Sequence, residues 1–377
     1  MTQLPQPWWV RLDQAARRRR EQGRARAIQP AIGVDFASND YLGLRRDPRL
    51  AQASAEAACS WGSGSGGARL LRGTSPLHDD LERELALWKG CETALLFNTG
   101  YQANASLLPA SVGAGDAIFS DALNHASLIE GCRLAKSRGA HVEVYAHNDL
   151  ARLRDRLRLW AASAAPGALA LVATDAIFIM DGDAADLPGL AELCRQHQAL
   201  LLVDEAHASG LLGPRGAGLA AAQGIPAALV MGTLGKALGA FGAFVACEEI
   251  LRDHLINTAR GFIFSTALPP TVVGAALEGL RLAQAEPWRA ERALGLAAHL
   301  REALALPAQP SAIVPLLIGA DAAAVARAEA LQALGLDIRA VRPPTVPEGT
   351  ARLRITTGAH LGDDDVEALL RALREYP

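Results

Sequence analysis

Short apolar runs alternate with amphipathic stretches along the chain from about residue 50 onward. The candidate strands are TALLF, DAIFSD, HVEVYA, ALALVATDAIFIM, ALLLVDEAH, ALVMGT and FGAFVAC. Several of them are apolar at nearly every position, which is typical of strands buried on both faces. Buried strands that alternate with helices predict a mostly parallel sheet covered on both sides. The pattern therefore predicts an α/β fold.

The same pattern divides the chain into parts. Residues 8–27 predict an arginine-rich helix, and SNDYLGL, residues 38–44, is a turn-rich segment that enters the main domain. A break at Pro269-Pro270 precedes a long alanine-rich helix, and residues 311–377 mix strands with helices. We expect an N-terminal helix and entry segment (1–45), a large domain (46–270), and a linking helix with a small C-terminal α/β domain (271–377).

Composition narrows the possible functions. The chain has 377 residues and a formal net charge of −3, so it lacks the overall basic character of a nucleic-acid-binding protein. One exception is the run Arg17–Arg20, with Arg24 and Arg26 close behind. This cluster predicts either the solvated face of a helix or a binding site for an acidic substrate.

Cysteine spacing and hydropathy indicate a location. The five cysteines are scattered, odd in number and without a C-x-x-C pair, which favours reduced thiols and a cytoplasmic protein. The N-terminus lacks the apolar core of a signal peptide. The longest apolar run, Ala168–Met180, is interrupted by Asp175 and is too short to span a bilayer. We therefore expect no membrane partner.

Polar residues follow three of the predicted strands. VDEAH places Asp204 and His207 after one strand, GTLGKALG places Lys236 after another, and NTGYQAN leads from a strand into a probable helix. The carboxyl ends of parallel strands meet at one edge of a sheet, where ligands bind. Asp204 and His207 have no convincing third partner for a metal ion, so we predict no metal site.

Lys236 is the most distinctive of these residues. The chain has only three lysines, and this one lies among glycines and small apolar residues. A lysine in such a dry pocket has a depressed pKa and can attack an aldehyde, although a chance lysine in a loop is the alternative. Thr233 offers a hydroxyl to an anion. An aspartate at one strand end and a lysine at a later one suit pyridoxal phosphate, which needs a charged ring nitrogen and a covalent lysine.

Several motifs together carry a family resemblance. In order they are SNDYLGL, GSGSGGARLLRGTSPLHDDLE, SDALNHASLIEG, MDGD, VDEAHASGLLG, GTLGKALG and FSTALPP. From about residue 12 to its C-terminus the chain resembles the α-oxoamine synthases, which are pyridoxal-phosphate enzymes of aminotransferase-like fold (fold type I). The resemblance implies a large cofactor-binding domain with a mostly parallel seven-stranded sheet, a small C-terminal α/β domain, and a homodimer.

The resemblance also implies roles for individual residues. Lys236 would hold the cofactor covalently, Asp204 would pair with the ring nitrogen, His207 would bind the phenolic oxygen, and His125 would stack on the ring. Around the phosphate it implies Gly100, Tyr101 and Thr233, with Ser265 and Thr266 reaching the cofactor of the neighbouring subunit.

For the substrates, the resemblance implies a second set of residues. Arg354 would bind the carboxylate of the amino acid, and Asn39 and Thr345 would contact substrate. An N-terminal arginine would meet the acyl chain; we expect Arg24, with Arg20 and Arg26 as alternatives.

The segment Val341–Thr356, VRPPTVPEGTARLRIT, resembles most the branch of the family that serves biotin biosynthesis. This branch condenses L-alanine with a pimeloyl thioester, carried on an acyl carrier protein or on coenzyme A, and releases carbon dioxide and free thiol. Alternatives within the family are glycine with acetyl-CoA and serine with a long acyl-CoA.

One position departs from the family pattern. The chain reads F-I-M-D-G at Phe178–Gly182, where the family usually has F-S-M-D-G. The serine hydroxyl normally contacts cofactor or substrate, and Ile179 cannot replace it. A polar group left unpaired in this way costs about 1–3 kcal/mol. A relative that binds the cofactor but has lost catalysis is therefore a further alternative.

Overall fold

A computed structural model of the chain describes residues 4–375, so the first three and last two residues of the expected terminal segments lie outside the described residues. The helices and strands in this part of the chain have definite bounds. The strands are β1 (Val34–Asp35), β2 (Thr93–Phe97), β3 (Ala117–Asp121), β4 (His141–Tyr145), β5 (Ala170–Asp175), β6 (Leu200–Asp204), β7 (Leu229–Thr233), β8 (Ala243–Cys247), β9 (Ile313–Gly319), β10 (Leu336–Asp337), β11 (Arg339–Val341) and β12 (Ala351–Thr356).

Fourteen α-helices were found among the described residues. They are α1 (Gln6–Glu21), α2 (Pro48–Trp61), α3 (Pro76–Lys89), α4 (Gly100–Ser111), α5 (Ala126–Ser137), α6 (Leu150–Ser163), α7 (Leu187–His197), α8 (Leu219–Gln223), α9 (Glu249–Thr258), α10 (Arg260–Ile263), α11 (Pro270–Ala285), α12 (Trp288–Ala303), α13 (Asp321–Ala333) and α14 (Asp363–Glu375).

Local sequence signals explain where several helices begin and end. Helix α3 has proline in its first turn and a capping box between Ser75 and His78, and it ends at Gly90 in the left-handed conformation. Helix α2 likewise begins with proline, and its N-cap Asp47 accepts a hydrogen bond from the amide of Arg49. Helix α3 packs against strands β2 and β8 of the large sheet, and α2 packs on α11.

Seven strands form the central sheet, in the order β2-β8-β7-β6-β5-β3-β4. Strands β3 to β7 run parallel to their neighbours within this group, whereas β8 is antiparallel to both β2 and β7. Apolar clusters lie on both faces of this sheet, which explains the near-continuous apolar runs. The predicted mostly parallel seven-stranded sheet is confirmed.

The C-terminal region has its own sheet and core. Strands β11, β12 and β9 form an antiparallel sheet, helices α12 and α13 pack on it, and α14 packs on α12 within the same apolar cluster. The N-terminal segment joins this region, because β1 pairs with β10 and Phe36 lies in the same apolar cluster. Helix α11 packs instead on α2 and α3 of the large domain. The expected domain limits at residues 45 and 270 remain a prediction.

Two further observations concern this part of the chain as a whole. None of the helices found between residues 4 and 375 combines the length and apolar character that a membrane crossing needs. Within the same range, no group of three or more histidine, cysteine or acidic side chains is arranged to hold a metal ion.

Candidate cofactor site

The candidate site lies at the carboxyl ends of the central strands. Strand β6 ends at Asp204, β7 ends at Thr233, and β5 ends at Asp175. Helix α4 begins at Gly100 after β2, and helix α5 begins just after His125, which follows β3. The topology therefore brings together residues that are far apart in sequence, as the strand-end argument predicted.

Lys236 lies on the loop between β7 and β8. Hydrogen bonds from the Leu234 amide to the Gly242 carbonyl (2.9 Å) and from the Ala240 amide to the Leu234 carbonyl (2.9 Å) fold this loop. Gly239 has φ +67°, and a Cβ there would lie 2.6 Å from the Leu44 carbonyl carbon, so the close packing requires glycine. The glycines around Lys236 thus shape the loop that presents it.

The Lys236 amine is held in a poorly hydrated place. Its Nζ lies 3.0 Å from His207 Nε2. Burial lowers the pKa of Lys236 to about 8, and the nearby Asp204 and Asp175 carboxylates only partly oppose this effect. An amine with this pKa is in part neutral near physiological pH, and the neutral form is the nucleophile.

His207 is buried and bonded through both ring nitrogens. Its Nε2 faces Lys236, and its Nδ1 lies 2.6 Å from the hydroxyl of Tyr41. Burial, together with the positive charges of Lys236 and Arg354, holds the pKa of His207 well below its ordinary value. The ring is therefore neutral at pH 7.

Asp204 is held by two donors. Its Oδ1 accepts from the amide of Ala206 (2.9 Å), and its Oδ2 accepts from the Asn104 side-chain amide (2.7 Å). Only 3% of its surface is exposed, so these bonds replace lost hydration. Residue Asn104 lies one turn into α4, and this helix therefore fixes the orientation of the carboxylate.

His125 is the N-cap of α5 and lies near Asp204 and Lys236. Its Nδ1 lies 2.7 Å from the Ser127 hydroxyl and accepts from the Ser127 amide at 3.3 Å. Burial lowers the pKa of His125, so the ring is neutral and its proton is on Nε2, because Nδ1 is an acceptor. The His125 backbone amide donates to the Asp175 carboxyl group (2.6 Å). Burial, together with the negative charge of the neighbouring Asp204, raises the pKa of Asp175 well above its ordinary range.

An anion-binding arrangement occurs where α4 begins. Thr99 caps this helix by accepting from the Gln102 amide at 3.1 Å, and the first amides of a helix have no partner within it. A Cβ on Gly100 would lie 2.9 Å from Thr233 Cγ2, so glycine permits this close approach. The Thr233 hydroxyl is buried and has no hydrogen-bond partner among the described residues.

Arg354 lies on β12 and reaches this site from the small domain. Its guanidinium donates to the Ile179 carbonyl (2.8 Å), the Thr356 hydroxyl (3.1 Å) and the Asn39 side-chain oxygen (2.9 Å). The side chain is mostly buried, and none of these partners carries a negative charge. The site therefore contains a fixed cation that can donate hydrogen bonds to a carboxylate.

Other predicted residues lie at the margin of the site. The Gln102 side chain donates to the Ser265 hydroxyl, and the Asn98 side-chain amide donates to the Thr266 carbonyl at 2.8 Å, so Ser265 and Thr266 lie beside the start of α4. Tyr101 is half exposed.

The N-terminal arginines predicted to bind the acyl chain lie apart from the lysine. Within residues 4–375, no hydrogen bond or ion pair joins Arg20, Arg24 or Arg26 to Lys236. Arg24 pairs with Glu348 at 2.8 Å, whereas Arg26 donates to the Thr345 hydroxyl at 3.2 Å. A cleft of about 580 Å³ adjoins these residues, and its lining includes Arg20, Arg26 and Thr345.

Sequence reasoning missed two residues that hold the site together. Tyr41 bonds to His207, and Asn104 bonds to Asp204. Both stand in motifs that were recognised, Tyr41 in SNDYLGL and Asn104 at the end of NTGYQAN. The spacing from Gly100 to Asn104 is one helical turn, which could have indicated that Asn104 faces the strand ends.

The residues present fit pyridoxal phosphate. A buried amine is available for a covalent bond, and Asp204 offers a held carboxylate to a ring nitrogen. The unpaired Thr233 hydroxyl lies beside a helix start that suits a phosphate. An unpaired buried hydroxyl is a cost in the free chain, and a phosphate oxygen bound there would remove that cost.

Comparison with known proteins gives a consistent result. A family model described as aminotransferase class I and II matches residues 31–373. A curated 8-amino-7-oxononanoate synthase from Anaeromyxobacter dehalogenans is 50% identical over 354 residues, which cover 90% of this chain and 85% of that protein.

Solved structures are also similar. A serine palmitoyltransferase from S. paucimobilis with a bound pyridoxal phosphate–myriocin adduct has a TM-score of 0.89 and 27% identity, and the match covers 99% of this chain and 98% of that one. An 8-amino-7-oxononanoate synthase from Francisella tularensis has a TM-score of 0.76 and 26% identity, covering 91% and 97%.

Proposed function

This chain belongs to the aminotransferase class I and II family, and from that premise we propose that it is an α-oxoamine synthase of biotin biosynthesis. It condenses L-alanine with a pimeloyl thioester to give 8-amino-7-oxononanoate, carbon dioxide and free thiol. The observation that carries this proposal is the buried Lys236 amine, which lies beside His207 and whose pKa the positive charge of Arg354 helps to lower. The chain that contains it is 50% identical over 354 residues to a named synthase of this type.

Pyridoxal phosphate, when bound, supplies an electron-withdrawing ring that stabilises negative charge at the α-carbon of the amino acid. In this chain Lys236 would hold it covalently, Asp204 would pair with its ring nitrogen, and His207 would bind its phenolic oxygen. His125 would lie against the ring. For the phosphate, we propose the amides of Gly100 and Tyr101 and the hydroxyl of Thr233.

Arg354 binds the carboxylate of L-alanine in this proposal. Its guanidinium donates only to neutral partners, so a carboxylate can accept hydrogen bonds from some of its N–H groups without breaking an ion pair. Asn39 accepts a hydrogen bond from one of those N–H groups, so it would lie next to the incoming carboxylate. This arrangement orients the amino acid before any proton moves.

Once the amino group of L-alanine has displaced the Lys236 amine from the cofactor, this amine would remove the α-proton. With a pKa of about 8 it can both accept and release a proton near neutral pH. His125 has its ring proton on Nε2, and this N–H can donate to the carbonyl oxygen of the arriving thioester. The two groups therefore have separate tasks, one at the amino acid and one at the acyl group.

The acyl chain ends in a carboxylate, which requires a cation. The matching family position is Arg24, but Glu348 already pairs with that side chain. Arg26 contacts Thr345, the other predicted substrate residue, and no carboxylate lies within ion-pair distance of Arg26 among residues 4–375. We therefore favour Arg26 together with Thr345 at the far end of the pimeloyl chain.

We also propose a homodimer, with Ser265 and Thr266 reaching the phosphate of the neighbouring subunit. Segments beside the site meet at a bridge between Ala68 and Thr266. Large apolar side chains on these and adjoining segments are exposed, which favours an interface there. They are Leu70, Leu71, Tyr101, Phe241 and Phe264. Light scattering should give twice the chain mass of 39.6 kDa.

A thiol-release assay tests the proposed reaction. The purified chain, supplied with pyridoxal phosphate, is offered three pairs: L-alanine with pimeloyl thioester, glycine with acetyl-CoA, and serine with palmitoyl-CoA. The first pair should be turned over at least about a hundredfold faster, since good discrimination by buried polar contacts is of this order or larger. Strong turnover of either other pair, with none of the first, would contradict the proposal.

Serine palmitoyltransferase is the rival with a specific observation in its favour, since its solved structure has the higher TM-score. Shared backbone geometry at 27% identity indicates a shared fold rather than a shared substrate. Over 354 aligned residues the chain is 50% identical to a curated 8-amino-7-oxononanoate synthase, and this likeness is the stronger guide to the substrate.

A further inference from the structure

Tyr41 occupies a position that the proposed mechanism leaves unused. Its side chain is fully buried, and its hydroxyl lies 2.6 Å from His207 Nδ1 and 3.3 Å from Asn39 Oδ1. Asn39 Oδ1 in turn accepts from Arg354, and His207 Nε2 faces Lys236. A continuous chain of hydrogen bonds therefore runs from the proposed carboxylate-binding guanidinium to the reactive amine, and Tyr41 is its middle member.

Counting donors and acceptors fixes the direction of these bonds. A guanidinium can only donate, so the atom of Asn39 that meets Arg354 is its oxygen. That oxygen can only accept, so the single proton of the Tyr41 hydroxyl points to Asn39. The Tyr41 oxygen must then accept from His207, which places the ring proton of His207 on Nδ1. His207 Nε2 is left with a free lone pair directed at Lys236.

We propose that Tyr41 is a positioning residue that sets the tautomer of His207 and so holds the ring as an acceptor for the Lys236 amine. This inference rests on the proposed function for its significance, because the chain of hydrogen bonds joins the guanidinium that would bind the amino-acid carboxylate to the lysine that would hold the cofactor. Burial raises the pKa of Tyr41 to about 12, so the phenol keeps the proton on which this order depends.

The order also has a consequence for cofactor binding. A phenolate oxygen on a bound ring needs a donor, whereas His207 in the free chain presents a lone pair at Nε2. For His207 to donate from Nε2, its proton must move from Nδ1, and the Tyr41 hydroxyl must turn from Asn39 to Nδ1. Tyr41 can make this change by rotation of one O–H bond, since both partners already lie within hydrogen-bond distance.

The test is to measure the tautomer of His207 by long-range ¹H–¹⁵N NMR on the full chain, labelled at histidine, without added cofactor. The spectrum of a His207→Gln variant identifies the His207 signals among those of the nine histidines. A pH of 9 suits the experiment, because the Lys236 amine is then mostly neutral and can accept as well as donate. The wild-type chain should show His207 mainly as the Nδ1–H form.

Two variants should change this result in the same direction. Tyr41→Phe removes the acceptor for the Nδ1 proton, and Asn39→Ala frees the Tyr41 proton to turn toward Nδ1. In each, the ratio of the Nδ1–H to the Nε2–H form should fall at least about fivefold, the effect of one net hydrogen bond. The second variant keeps the buried tyrosine, so it provides the test if Tyr41→Phe does not fold.

Tyr145→Phe is the matched control, because Tyr145 is also buried but lies at the end of β4, away from His207. It should leave the His207 ratio unchanged. A wild-type ratio in either folded variant, or an equal change in the control, would overturn the role of Tyr41. Since neither cofactor nor substrate is present, this outcome is independent of the thiol-release assay, which alone tests the proposed function.

Discussion

Replacing Lys236 with methionine should stabilise the cofactor-free chain at pH 7. Burial lowers the pKa of this lysine from 10.5 to about 8, so its charged form is disfavoured in the fold. At about 1.4 kcal/mol per pH unit, this gap corresponds to about 3 kcal/mol of destabilisation. Loss of the hydrogen bond to His207 offsets about 1 kcal/mol of the gain. We therefore expect Lys236→Met to raise the free energy of unfolding by about 2 kcal/mol.

The effect has a definite pH dependence. Between pH 8 and 10.5 the unfolded chain binds more protons at this lysine than the folded chain, so the contribution of Lys236 to the free energy of unfolding should rise with pH across this window. Below pH 8 the destabilisation is fully present. The Lys236→Met variant lacks this pH-dependent contribution. Its advantage over wild type in the free energy of unfolding should therefore shrink as the pH approaches 10.5.

Urea unfolding followed by tryptophan fluorescence measures both effects, with the midpoint recorded at pH 7, 9 and 10. Lys136→Met is the matched control, because Lys136 is exposed and its replacement should change the free energy of unfolding by less than about 0.5 kcal/mol. If Lys236→Met is less stable than wild type at pH 7, or if its advantage over wild type in the free energy of unfolding is as large at pH 10 as at pH 7, the reasoning about the buried amine is wrong.

Three further substitutions have distinct expected outcomes. Lys89→Met should lower the free energy of unfolding by about 3–5 kcal/mol in the same urea experiment, because it leaves the buried carboxylate of Glu205 unpaired; a loss below 1 kcal/mol would contradict this. Thr233→Val should weaken pyridoxal phosphate binding about 10- to 100-fold in an absorbance titration, because a hydrogen bond to a charged group is lost; unchanged affinity would remove Thr233 from the phosphate site. Ile179→Ser should change kcat by less than about threefold, since Arg354 already has its Nε partner in the carbonyl of residue 179; a large gain would indicate that isoleucine impairs the wild-type enzyme.

The sequence predicted the central sheet well because burial on both faces leaves a direct record in the apolar runs. It was less informative where an apolar run continues past a strand. Ala168–Met180 appears as one run, yet β5 ends at Asp175, and Ile177 and Phe178 are buried in the following turn. Apolar character alone cannot distinguish a buried strand from a buried turn.

Pairings between distant segments left no local pattern to recognise. Strands β1 and β10 have two residues each and are separated by some three hundred residues, so neither could be predicted from periodicity. For the site, residue type and strand ends indicated Lys236 and Asp204. The supporting contacts made by Tyr41 and Asn104 depend on how whole elements pack, and the motifs alone could not specify them.

The ion pair between Arg24 and Glu348 illustrates the same limit. Sequence alignment with a family identifies a position by its neighbours in the chain, whereas a side chain is engaged by its neighbours in space. Arg26, two residues later, meets Thr345 instead. Which N-terminal arginine binds the acyl carboxylate therefore stays a prediction, now favouring Arg26.

The most direct test of the central claim is to locate the covalent bond to the cofactor. The purified chain is mixed with pyridoxal phosphate, reduced with borohydride and digested, and the labelled peptide is identified by mass spectrometry. The chain has only three lysines, so the assignment is unambiguous. We predict the label on Lys236 alone. A label on Lys89 or Lys136 in its place, or an unlabelled chain, would contradict the account.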